Sequence, residues 1–159
     1  MTVSIRGPER TAAQSYPVAT EKVREFAAAI GDDAPIRHDP AVARAAGYPG
    51  VVAPPTFSMV VLRPHIEAVA TAELGIDPET DAVLHTGQRF VYHRPICAGE
   101  HVDCAVTIEN RRDTTAPDGA RVTKLDLCSR LSVAGELRIT VYTAMMVQFG
   151  TVGRNGASS

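Results

Sequence analysis

The chain has 159 residues, with 16 Lys+Arg against 18 Asp+Glu for a formal net charge of −2, and it is 45% hydrophobic and 21% charged. This fits one globular domain that buries a core without disulfide or metal staples, and it excludes a disordered or collagen-like chain. No basic footprint for nucleic acid is present, the longest apolar run (around Phe57–Leu62) is too short to span a bilayer, and no basic stretch followed by an apolar one opens the chain as a secretory signal would. A soluble cytoplasmic protein is expected, with a flexible N-terminus over residues 1–10, one domain over 11–149 and a Gly/Ser/Asn-rich flexible tail over 150–159.

Residues 14–18 are expected to form a short edge strand. The first helix is expected to begin after Thr20 as its N-cap, with Glu21 in its first turn, where the helix dipole favours negative charge. Val23, Phe26, Ala27 and Ile30 recur at helical spacing to give one apolar face, and Gly31 provides a left-handed stop. Residues 31–38 are read as a loop, followed by a short helix from Asp39-Pro40 to Ala46 with Pro40 at its first position. A third helix runs from Pro55-Thr56 to Gly75. Its opening turns are apolar nearly all round, so it should be buried, and Pro64 should kink or split it.

From Ala82 onward the period is two. Leu84–Arg94 reads as one strand. Val102, Cys104, Val106 and Ile108 share one face of the next; Leu125, Leu127, Leu131 and Val133 alternate likewise, as do Leu137, Ile139, Val141, Thr143, Met145 and Val147. Residues 98–100, 117–119 and 134–136 supply turn chemistry. Helices followed by a run of antiparallel strands indicate an α+β fold. An apolar helix of this kind needs a sheet wrapped around it, which is the hot-dog arrangement, with a curved antiparallel sheet of about five strands.

The three cysteines, Cys97, Cys104 and Cys128, form no CxxC pair, and Cys104 and Cys128 on alternating segments read as small buried hydrophobes. His85, His93 and His101 recur every eight residues, but on separate strand positions, so no metal site is expected, and no P-loop, GxGxxG or GxSxG occurs. No cofactor is implied.

Three stretches carry a resemblance: residues 30–39 (IGDDAPIRHD), 45–48 (AAGY) with 52–57 (VAPPTF), and 85–100 (HTGQRFVYHRPICAGE). Together they resemble the MaoC-like or R-specific enoyl hydratase family, and within it the FAS1-like dehydratase domain of actinobacterial HadA/HadC-type subunits, over roughly Tyr16 to Phe149. The resemblance implies reversible dehydration of a 3-hydroxyacyl thioester. Such chemistry needs an acid–base group, donors to the thioester oxygen and an apolar tunnel. Catalytic members carry a G-D-x-N-P-x-H pattern, in which the Asp and the His work on water, and a glycine N–H at the start of the central helix that meets the thioester. Here Gly31, Asp32 and Pro35 match, Ala34 replaces the Asn, Arg37 stands at the His position with His38 one residue late, and Pro55 falls on the glycine. Arginine stays protonated near neutral pH, and proline has no N–H to donate.

Three readings follow. In the first, the chain is an accessory subunit of a (3R)-3-hydroxyacyl-ACP/CoA dehydratase in fatty-acid or related acyl metabolism. Phe57, Met59 and Val60 then line an acyl channel, with Arg37, Thr56 and Gln88 as further contacts to an acyl-CoA or acyl-ACP, while a MaoC-like partner catalyses. In the second it is a self-sufficient homodimeric hydratase using Asp32 and His38, with Thr56 in place of Pro55. In the third it is a non-enzymatic acyl-thioester-binding protein. His38 and Asp39 leading into the short helix, with Asp39 as its cap, remains the structural alternative to a catalytic His38. A hot-dog thioesterase is disfavoured, since Glu67 and Glu73 come only after Pro64.

Overall fold

The computed structural model describes residue 7, residues 9–12 and residues 14–150; residues 1–6 and 151–159, where frayed ends are expected, lie outside them. Helix α1 covers Thr20–Ala29, α2 Pro35–His38, α3 Pro40–Ala45 and α4 Ser58–Leu74, the last entered through a 3-10 turn at Pro55–Phe57. The strands are β1 (Arg10–Thr11), β2 (Tyr16–Pro17), β3 (Ala82–Tyr92), β4 (His101–Thr115), β5 (Arg121–Val133) and β6 (Glu136–Gln148).

The sheet is antiparallel, in the order β1-β4-β5-β6-β3, with β2 on the same side of β4 as β1. It has six strands but five positions across, because two short pieces share one edge. The other edge is β3, eleven residues long and paired only with β6.

Helix α4 lies against the concave face. It buries Val61, Leu62, Ile66, Val69, Ala70 and Leu74, and the core continues through Val102, Cys104, Val106 and Ile108 of β4 and the alternating residues of β5 and β6. Pro64 neither splits nor ends this helix, which runs on to Gly75, a left-handed cap (φ 64°) whose N–H bonds the Thr71 carbonyl. Pro64 faces solvent, so its ring removes only the bond to Val60 and displaces no core contact. Phe57 is fully buried, edge-on to Phe26 (5.5 Å) and Tyr16 (6.5 Å), and ties α1 and β2 to the start of α4.

Three expectations need local correction. Thr20 is the first helical residue and not the cap, a position held by Ala19, whose side chain makes no capping bond. Residues 35–38 form a helical turn, with Pro35 supplying a helix-ready φ at its first position. Leu137 is exposed, because the β5–β6 register shifts after Leu131 and sets it opposite Ser132, whereas Val133 keeps the inward phase opposite Val102 and packs against the core. The small helix α3 has the expected cap, with Asp39 accepting from the Ala41 N–H at 2.7 Å. Cys104 is buried on the inner face, whereas Cys128 is half-buried on the opposite face.

Gly50 is required by close approach: a Cβ there would lie 2.5 Å from the Ala98 carbonyl oxygen. The segment 50–53 therefore lies directly on 96–98, joined by Ala98 N–H to Val51 O (2.9 Å) and Ala53 N–H to Ile96 O (2.8 Å). In the β5–β6 hairpin, Ala134 (φ 49°) and Gly135 (φ 80°) are both left-handed, the signature of a primed two-residue turn that favours Asn-Gly. Ala134→Asn is expected to raise the unfolding free energy by about 0.5–1 kcal/mol in denaturant titration. Phe57→Ala is expected to lower it by about 3–5 kcal/mol.

Candidate functional site

The loop between α1 and α3 is built by its sequence. Gly31 turns the chain out of α1 at φ 71°, and the Asp32 carboxylate accepts from the Ala34 N–H at 3.3 Å to hold a tight turn into α2. One helical turn then brings Arg37 and His38 back over Asp32. The Arg37 Nε donates to the Asp32 Oδ2 at 3.0 Å, while its Nη1 donates to the carbonyls of Val52 (3.1 Å) and Ala53 (3.2 Å). The guanidinium thus closes a junction between the loop and the chain leading into α4. His38 turns the other way: its Nε2 donates to the main-chain oxygen of Asp32 at 2.8 Å, because a carbonyl only accepts, and the His38 carbonyl accepts from Arg24 Nε at 2.8 Å.

Asp32 and His38 are therefore close together, but no bond joins the imidazole to the carboxylate, which Arg37 holds. Partial burial raises the Asp32 pKa; the Ala34 amide, the Arg37 bond and the charges of Arg37 and His38 outweigh it and keep the carboxyl below the usual range. At the helix entrance, Pro55 begins the 3-10 turn and Thr56 is exposed beside it.

A cavity of about 380 Å³ opens beside this junction. Arg37, Pro55 and Ser58 line one side, and Tyr92, Pro95 and Ile139 the other. Its outer wall, residues 93–98, is fixed by Arg138, which donates to the Pro95 carbonyl (3.3 Å) and to Glu100 (2.9 Å); Glu100 in turn accepts from the Cys97 N–H at 2.8 Å. Burial, reinforced by the nearby Glu100 charge, pushes the Cys97 thiol up to about 11, so it stays protonated and part of the wall.

A second, larger cavity of about 950 Å³ lies farther along α4, between it and the β3 edge, and includes Met59, Val83, His85 and Met145. Met59 thus lines a cavity. Phe57 does not: its ring is spent in the core, as the apolar run at the start of α4 could equally have implied. Val60 is half-buried against the core and lines neither cavity, and Gln88 reaches Met59 from β3, its Nε2 donating to Sδ at 2.9 Å. Tyr92, Ile139 and the Arg138–Glu100 pair were missed from the sequence; no local spacing links residues 38 apart.

Arg37 satisfies one carboxylate and two carbonyls at once, so Arg37→Ala is expected to cost about 1.5–3 kcal/mol, and Arg37→Lys to recover less than half, since an ammonium cannot span the fork. The depressed Asp32 pKa carries a sign. Its contribution to stability is present above pH 3.8, the ordinary value, and is lost as pH falls through the lowered folded value. Stability curves of the parent and Asp32→Asn should therefore differ near neutral pH and converge in acid.

The model of the FAS1-like, dehydratase domain region matches residues 7–125. A UPF0336 protein of Thermobifida fusca is 38% identical over 137 residues, covering 85% of this chain and 86% of its own. Among solved structures, the HadBC (3R-hydroxyacyl-ACP dehydratase) complex of Mycobacterium tuberculosis superposes with a TM-score of 0.70 at 26% identity, over 92% of this chain and 99% of that one. The ChsH1–ChsH2 complex of the same organism gives 0.63 at 25% identity, over 93% and 90%. With its long helix clasped by an antiparallel sheet and its loop-to-helix junction at the sheet's open end, the chain belongs to the FAS1-like dehydratase domain family and has the hot-dog fold.

Proposed function

We propose that this chain is the substrate-holding subunit of a (3R)-3-hydroxyacyl-thioester dehydratase of fatty-acid or related acyl metabolism, and that a MaoC-like partner supplies the Asp/His pair. The observation that carries this reading is the Arg37–Asp32 contact at 3.0 Å. A permanently charged guanidinium occupies the carboxylate that would otherwise orient water, and it cannot accept a proton. The imidazole that could accept one is engaged with a main-chain oxygen, and Pro55 has no amide hydrogen to give the thioester oxygen. What the chain keeps is apolar room along α4, where each methylene of an acyl chain removed from water contributes about 0.8 kcal/mol.

The β3 edge supports a partnered subunit. Among the described residues its outer row of backbone groups has no strand beside it, and Val83 (46%), Leu84 (55%) and Tyr92 (47%) are exposed there. Soluble proteins seldom leave such an edge uncovered. The likeness to the HadBC and ChsH1–ChsH2 complexes agrees with a heterodimer.

The proximity of Asp32 and His38 favours one rival, the self-sufficient homodimer. The two separate cleanly. The purified chain alone is expected not to hydrate crotonyl-CoA, whereas the chain co-purified with a MaoC-like protein bearing an intact G-D-x-N-P-x-H should do so. In that complex Asp32→Asn and His38→Ala should lower kcat by less than about threefold. Robust turnover by the lone chain, abolished by either substitution, would establish the rival. Tight acyl-CoA binding with no turnover in any combination would mark a binding protein.

A further inference from the structure

Resting on the reading of this chain as a holder of acyl thioesters, we propose that Met59 and Gln88 form a gate across the acyl crevice and set the length of chain it accepts. The crevice along α4 is not one space. The front cavity, about 380 Å³, reaches Ser58, Tyr92 and Ile139; the rear one, about 950 Å³, begins at Met59, His85 and Met145. Between them on the sheet lie two inward-facing cross-strand pairs, Gln88 with Thr143 and Phe90 with Val141.

Across that gap the Gln88 Nε2 donates to the Met59 Sδ at 2.9 Å, strand to helix. The register makes this possible. A bulge between His85 and Gly87 shifts the alternation by one residue, so Gln88 and not Gly87 is aimed inward.

Both partners suit a part that moves. A thioether is a weak acceptor on a side chain with three rotatable bonds, so the closed contact is inexpensive to break. The Gln88 amide has a second acceptor, Thr143 Oγ1 at 3.4 Å, and opening does not orphan it. Met59 only borders the core, partly buried against it, and Gln88 is exposed, so neither is locked inside it. Beyond the gate, Ala70, Ile76, Val83 and Met145 offer an apolar floor, with the Arg63–Glu67 ion pair on the exposed side. A short acyl chain ends in the front cavity; a long one displaces Met59 and continues into the rear.

The test is calorimetric titration of the 159-residue chain with butyryl-, octanoyl- and palmitoyl-CoA, for the parent, Met59→Phe, Met59→Ala and Gln88→Ala, with circular dichroism confirming the fold of each. Met59→Phe should lower the palmitoyl-to-butyryl affinity ratio by about tenfold, while Met59→Ala and Gln88→Ala should raise it by about threefold or more. Gln88→Ala, on an exposed strand position, keeps the test decisive if a bulkier residue 59 does not fold. An unchanged ratio in folded variants that still bind would overturn the gate and leave the acyl-holding reading intact. Failure of the parent to bind any of the three thioesters would overturn both.

Discussion

A charge that cannot be discharged, the guanidinium of Arg37, is the contact around which the loop-to-helix junction is organised. The Arg37 guanidinium faces one carboxylate and two carbonyls, so three chain segments converge on a single side chain: the exit of α1, the turn of α2 and the entry to α4. A histidine would not serve there, since one imidazole lacks the donors to join all three. The arginine thus rigidifies the junction where these three segments meet.

The rest of the molecule holds this junction at a fixed distance from the apolar crevice. Helix α4 is anchored by its buried side and by Phe57 at its start, while the opposite wall, residues 93–98, is fixed by the largely buried Arg138–Glu100 pair. Such a pair costs desolvation and adds little net stability, but it specifies one position for the wall because its bonds to Pro95 and Cys97 are directional. Cavity wall and scaffold consequently share the same segments.

Much of this was legible in the sequence. The wholly apolar opening of the central helix, the period-two stretches from Ala82 and the Gly-centred turns identify a sheet-wrapped helix, because burial and alternation are local signals. The mismatches at Arg37 and Pro55 were legible too, since the resemblance supplies a pattern against which they stand out. What was not legible depends on contacts distant in the chain. The apolar run around Phe57 announces burial, but nothing near it names Phe26 and Tyr16 as the rings it meets. Nothing near Arg138 names Glu100. The bulge that aims Gln88 inward is a property of pairing with β6, not of the strand's own composition. That Pro64 does not split the helix was not legible either, because an exposed proline ring displaces no core contact and the surrounding packing holds the helix together.

The bare Cα of Gly50, pressed on the Ala98 oxygen, has an evolutionary corollary. The spacing of segments 50–53 and 96–98 is gauged there by main chain meeting main chain, a dimension that no side-chain exchange elsewhere resets. Position 50 is therefore where drift should be least forgiven, since any side chain would force the two segments apart.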